Sequence, residues 1–391
     1  MKLLKNLFDK IEPNFEKGAK WEKFHTLYEG HRTIVFAPKI VTKKTGTQVK
    51  DAVDLKRLMF TVVIAMIPCL LFGMWNVGHQ HYLAVGETAS FMMKFGIGAL
   101  KVLPILAVSY GVGLGTEFIF CVIRQKPVEE GFLVTGMLIP LVMPPTIPLW
   151  QVAMATVFAV IIAKEVFGGT GMNVLNVALT ARAFLYFAYP SQISGDKVWT
   201  YLGDKASVDG FSGATILSNG AEATTNSAID VAGNIAPKFW DYFMGFMPGS
   251  IGETSVLMCL IGAAILIVTG VGSWKIIVSV FVGALGMGFL FNAVGGNPFL
   301  EMPAHYHLVI GGLAFGAVFM ASDPVSAAQT ERGKWIYGLL IGALTVLIRV
   351  VNPAYPEGIM LAILFMNVFA PLIDFYVVEG NKKRRLKRAT V

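Results

Sequence analysis

KRLMFTVVIAMIPCLLFGMWN (56–76) carries its only two charges at its first two positions, Lys56 and Arg57. A bilayer-spanning helix needs about 20 mostly apolar residues. This stretch therefore reads as a membrane span entered from a basic end. Nine further stretches have the same character: roughly 98–123, 130–145, 149–166, 172–189, 252–271, 275–293, 305–322, 335–351 and 357–378. The spans at 130–145 and 172–189 are short or interrupted by Gly and Pro, which membrane depth tolerates only where backbone lines a protein-buried cavity. Composition agrees. Of 391 residues, 55% are hydrophobic and 15% charged, against about 25% charged in a soluble domain. Mean hydropathy is +0.62. These values exclude a disordered chain, a collagen-like fibre and a disulfide-stapled module, and they argue against a soluble enzyme.

The net charge of +7 is unevenly placed. Thirteen of the 32 Lys and Arg precede Leu58, and six lie in NKKRRLKR (381–388). Basic flanks mark the cytoplasmic side of a membrane protein, so nucleic acid is not an expected partner. With ten spans and a cytoplasmic N-terminus, 25 basic residues are cytoplasmic and only Lys197, Lys205 and Lys238 fall in external loops. The expected fold is an all-α polytopic membrane protein of about ten transmembrane helices, both termini cytoplasmic. It comprises an N-terminal extension (1–55), a five-helix half (56–189), an external loop (190–250), a related five-helix half (251–379) and a basic tail (380–391). The kinship of the halves rests on Asn176 and Asn352, each with an arginine, Arg182 or Arg349, within a turn or two. Duplicated halves are a common transporter plan. MKLLKNLFDKIEPNF (1–15) has apolar residues at helical spacing between lysines, suited to a bilayer surface or a partner. Cys69, Cys121 and Cys259 form no CxxC pair, and the HxH of AHYHL (304–308) has no further ligand nearby, so no metal site is expected.

The loop contains DGFSGATIL (209–217). By composition this is a turn that exposes a hydroxyl, Thr215, between small neighbours that let a bulky group approach it; the plainer reading is an ordinary loop. DGFSGAT (209–215) also resembles the flavinylation motif D-G-x-[ST]-G-A-T of Na⁺-translocating NADH:quinone oxidoreductases and the related Rnf electron-transport complexes. KEVFGGTGMNVLN (164–176), AYPSQISGD (188–196), MPGSIGE (247–253), ASDPVSA (321–327) and RVVNPAYPEGIMLAILF (349–365) are similar to the B subunits of the former. VDLKRLM (53–59), with the extension before it, fits these B subunits better than the shorter D subunits of Rnf complexes. The resemblance implies FMN joined by a phosphoester to Thr215, with Asp209, Ser212, Gly213 and Ala214 completing the motif. It also implies non-covalent riboflavin at an unlocated site. Arg182 and Arg349 are candidate partners of the flavin phosphate; the alternative for each is snorkelling or a structural pair. The junction 168–176 offers amide groups to a flavin, or is a packed turn.

The resemblance further implies a bacterial inner-membrane protein relaying electrons toward ubiquinone or menaquinone, coupled to Na⁺ export. Its partners are the A, C, D, E and F subunits of the complex and a maturation flavin transferase, with NADH bound on another chain. No P-loop, GxSxG or GxGxxG is present in this sequence. Two alternatives stay open: the D subunit of an Rnf complex, or a small-solute channel of similar fold without a redox cofactor.

Intramembrane carboxylates are costly and hence functional candidates. Glu117 lies in SYGVGLGTEFIF (109–120), where Gly111, Gly113 and Gly115 permit close packing or a ligand-sized gap. The resemblance links Gly113 and Glu117 to quinone binding, although GLG stands here where adjacent glycines are expected. It assigns Na⁺ uptake to Glu29, Glu117, Asp323 and Asp374. The plainer readings are a helix cap for Asp323, pairing with the basic tail for Asp374, and a solvated charge for Glu29.

Overall fold

The computed structural model describes residues 2–15, 18–19, 21–25, 28, 32, 36, 55–124, 131–203, 205, 207–208, 211–222, 239–296, 298–352 and 355–389. Glu29, Asp209 and Gly210 lie outside this set. The described residues contain helices and no strand. The helices are α1 (Lys2–Ile11), α2 (Leu55–Val85), α3 (Phe91–Arg124), α4 (Phe132–Leu141), α5 (Leu149–Phe167), α6 (Val177–Ala188), α7 (Ile216–Glu222), α8 (Phe239–Met244), α9 (Val256–Val268), α10 (Trp274–Val294), α11 (Glu331–Val351) and α12 (Ile359–Ala389). Short helical turns lie between them.

Six of these, α2, α3, α5, α10, α11 and α12, are long and apolar enough to cross a membrane. The spans expected at 130–145, 172–189, 252–271 and 305–322 are instead shorter helices, or, for the last, helical turns at Tyr306–Val309, Leu313–Phe315 and Gly316–Met320. At two of these breaks, carbonyls find partners outside their own helix. Past the end of α4, the Leu141 and Met143 carbonyls accept from the Gly252 and Ile251 amides at 2.7 and 3.1 Å. The Val142 carbonyl accepts from the Arg182 guanidinium at 2.7 Å. Likewise the His307 and Ile310 carbonyls face Arg349 at 2.6 and 2.9 Å, and Gly311 takes a φ of +71°. Pro144 and Pro145 have no N–H to give the Pro140 and Leu141 carbonyls, so α4 cannot continue, and at both breaks other segments and the arginines satisfy the carbonyls left over.

Helix α3 shows how a sequence stripe positions a site. Its buried residues are Gly98, Val102, Ile105, Ser109, Gly113 and Glu117. They recur every three or four positions, a single face of a 3.6-residue helix. Glu117 is the last member of that face and so points inward with it. Helices α10 and α11 pack closely through small residues: a Cβ on Gly342 would overlap the Val280 carbonyl, so glycine lets the two backbones approach. Across the body, Cys69 of α2 and Cys259 of α9 are buried with sulfurs 3.9 Å apart, a proximity invisible in their separate positions along the chain. In the N-terminal segment, the Tyr28 hydroxyl donates to the Phe8 carbonyl at 2.7 Å and the ring stacks on Phe15 at 5.0 Å. Burial, and then the Glu12 carboxylate, push the Tyr28 pKa above its ordinary value.

Candidate functional site

Two polar centres interrupt the apolar body, one toward each end. At the end where α3, α5 and α12 terminate, a cavity of about 80 Å³ is lined by Lys164, Thr170, Asn173, Asn176, Ser322 and Asp323 among apolar neighbours. Lys164 closes a π-helical turn, Val160–Lys164, at the end of α5; such turns are frequent at functional sites. Its ammonium donates to the Glu117 carboxylate in an ion pair. The two side chains are only 4% and 3% exposed. Beside it, Arg124 bonds both the carboxylate and the carbonyl of Glu165 at 3.0 Å, but the arginine side chain is 34% exposed.

Asn176 caps α6, its side-chain oxygen accepting from the Leu179 amide at 3.2 Å. Its own amide donates to the Asn367 side chain of α12 at 3.1 Å, and Asn367 also bonds the Tyr337 hydroxyl at 2.6 Å. Asp323 accepts from the Val325 amide at 3.2 Å and the Ser326 hydroxyl at 2.7 Å. It borders both the cavity and an open groove carrying Lys275, Gln329 and Glu331. It thus belongs to the wall that the two share, with Val271, Gly272, Ser322 and Pro324.

The quinone and cation candidates separate here. Gly113 does not leave a gap: a Cβ there would overlap the Phe132 ring of α4. The open positions are Gly111 and Gly115, which have nothing within 4 Å of an added Cβ. Asp374 does not pair with the basic tail. It accepts from the Gln329 amide at 2.7 Å and from the Thr330 amide and hydroxyl at 2.9 and 2.6 Å, so it caps the start of α11 from α12. Asp323 lines the cavity and Glu117 pairs with Lys164, which lines it, whereas Asp374 is occupied at the start of α11.

The second centre lies at the opposite end. Thr215 is 9% exposed, and its hydroxyl accepts from the Ser218 amide at 3.2 Å, capping α7. It borders a cavity of about 20 Å³ with Ser250, Glu253, Gly311, Gly312 and Glu357. Ser212 accepts from the Ala214 amide at 3.3 Å. A Cβ on Gly213 would overlap the Asp196 carbonyl, so the small residue there serves loop packing rather than access to the hydroxyl. Arg182 is buried and donates to the Val142 carbonyl, to Ser250 at 3.2 Å, to Glu253 at 3.1 Å and to Glu357. Arg349 donates to the carbonyls of His307, Ile310 and Glu357. Both arginines therefore hold interrupted backbone, a structural occupation in place of the open cation that a phosphate partner requires.

The residues suit the attachment of a flavin phosphate in one respect: a hydroxyl held at a fixed position in a small-residue turn. A flavin ring has no room in the small cavity beside Thr215, whose wall carries two carboxylates. Sequence reasoning misses Lys164, Glu253 and Glu357 as site members. Lys164 reads along the chain as a basic flank, and the two glutamates sit at the edges of apolar runs. The signal that points to them is charge balance, since two arginines beside spans need nearby carboxylates.

The family described as "NQR2, RnfD, RnfE family" matches residues 42–383. The chain is 50% identical to the B subunit of the Na(+)-translocating NADH-quinone reductase of Chromohalobacter salexigens, over 98% of this chain and 96% of that one. It is 49% identical to the protein of the same name from Ectopseudomonas mendocina and 47% identical to that from Klebsiella pneumoniae, each over 98% of this chain and 99% of the relative. The matched region takes in both polar centres and the turn that carries Thr215, and the chain belongs to the NQR2, RnfD, RnfE family.

Proposed function

We propose that the chain is the B subunit of a Na⁺-translocating NADH:quinone reductase, a multi-pass membrane electron relay. The observation that carries the reading is the near-full-length identity to relatives of that name, with DGFSGAT (209–215) inside the matched span. Thr215 provides the hydroxyl oxygen of a phosphoester to FMN. Flavin supplies conversion between one- and two-electron transfer when bound. The chain's own residues do the rest. Helix α7 and its cap hold the attachment point at one end of the body. Asn173, Asn176 and Thr170 offer amide and hydroxyl groups to a non-covalent riboflavin at the other, where the cavity must widen to take a ring.

A hard cation takes oxygen ligands, and Asp323, which lines both the open groove and the cavity, offers Na⁺ an entry point. Glu117 serves Na⁺ only when Lys164 releases it. Quinone binds against the outer face of α3 at Gly111 and Gly115, with the buried Glu117 on the opposite face of the same helix. The excess of basic residues at both ends supports cytoplasmic termini, and the membrane is the inner membrane of a bacterium. The partners are the A, C, D, E and F subunits and a flavin transferase.

The test is a denaturing gel viewed under ultraviolet light, from cells that also make the transferase. The wild-type band fluoresces, and the Thr215→Ala band is dark. A dark wild-type band overturns the assignment.

A further inference from the structure

Helices α11 and α12 leave an open groove of about 440 Å³ on their outer side. Its walls are Arg332 and Ile336 of α11 and Ile373, Val377, Asn381 and Arg384 of α12. The groove carries apolar residues, Ile336, Ile373 and Val377, together with two guanidiniums, Arg332 and Arg384. Gly380 lies in the groove, with nothing within 4 Å of an added Cβ, so its lack of a side chain keeps the space open.

Depth follows from three features. Helix α12 has 31 residues, about 46 Å at 1.5 Å per residue, whereas the hydrocarbon is about 30 Å thick. The apolar run of α12 ends at Val378, and Glu379 and the basic tail follow. Trp274, Trp335 and Tyr376 are large, exposed aromatics near the same end, as aromatic residues are at a bilayer interface. The groove therefore straddles the boundary between acyl chains and headgroups.

The charges are uncompensated. The nearby acids are already engaged: Glu331 with Lys275 and Lys334, Glu379 with Lys382, and Asp374 in its cap. Neither Arg332 nor Arg384 has an acidic partner among the described residues. Two guanidiniums over an apolar channel at headgroup depth complement an amphiphile with an anionic head, and the guanidinium fork suits phosphate oxygens.

We propose that this groove binds an anionic phospholipid, its phosphate between Arg332 and Arg384 and an acyl chain along Ile336, Ile373 and Val377. The site is independent of any redox cofactor.

The test uses the intact membrane complex in detergent, titrated with phosphatidylglycerol and read by native mass spectrometry. Arg332→Gln/Arg384→Gln weakens the tightest phosphatidylglycerol site about 30-fold, the equivalent of about 1 kcal/mol for each charge near a membrane surface. Lys383→Gln/Arg385→Gln, which removes two charges of the same tail outside the groove, leaves that site unchanged. Thermal unfolding of both variants matches the wild type, so the loss is not a loss of fold. Equal weakening in both variants, or in neither, overturns the proposal. So does occupation by inorganic phosphate as readily as by phosphatidylglycerol. A photo-crosslinking residue at position 376 that captures another protein of the complex instead of lipid also overturns it.

Discussion

Replacing Lys164 with Met takes away the ammonium that pairs with the Glu117 carboxylate. The two side chains are 4% and 3% exposed, so neither water nor the bilayer can replace the lost ammonium. Breaking a buried pair from one side costs about 3–5 kcal/mol, because a charge remains without compensation. Glu117→Leu strands the ammonium at similar cost. Removing both charges in Lys164→Met/Glu117→Leu leaves an apolar contact, and such replacements are close to neutral. The double variant is therefore expected within about 1 kcal/mol of the wild type, and the coupling recovered by the cycle is several kcal/mol. Arg124→Gln is the internal control. That arginine is 34% exposed, and an ion pair reaching solvent contributes about 0–1 kcal/mol. Denaturant or thermal unfolding of the purified complex, followed by loss of this chain in its folded form, measures each corner. If the double variant is as unstable as the sum of the singles, the buried pair does not hold α3 to α5 and the reasoning fails.

Gly113→Ala drives a methyl group into the Phe132 ring, an overpacking change of about 1–3 kcal/mol; adding Phe132→Leu should restore most of the loss, and no restoration would place the strain elsewhere. Asp374→Asn weakens the cap on α11 by about 1 kcal/mol. Hydrogen exchange at the Gln329 and Thr330 amides should rise, while Lys383→Gln/Arg385→Gln leaves it unchanged; the opposite pattern would restore the tail-pairing reading. Arg182→Gln leaves Glu253 and Glu357 buried without their shared cation. A loss of at least about 3 kcal/mol is expected, visible as poor recovery of folded complex. Arg182→Lys rescues only in part, because an ammonium cannot reproduce the guanidinium's fork; full rescue would show that charge alone suffices.

The helical class is legible from the apolar runs, because burial in a bilayer is a property of each segment by itself. The full-length spans are less so. The stretches 130–145 and 305–322 are mostly apolar, yet carbonyls within them face Arg182 and Arg349, and hydropathy carries no record of where a carbonyl points. The inward face of α3 is present in the spacing of Gly98 through Glu117, which makes Glu117 a sound candidate.

What lies across from Glu117 is not visible in the sequence. Its partner is 47 positions away, and Glu357 is 175 positions from Arg182. Local pattern identifies the membrane class and the basic ends, while Thr215 stands out only by the resemblance of DGFSGAT to a known motif. Packing alone decides that Gly113 is filled, that Asp374 holds the start of α11 and that Asp323 lines two adjoining spaces. The physical reason is that partition into a membrane adds up residue by residue, whereas an ion pair or a cavity exists only once distant segments have met.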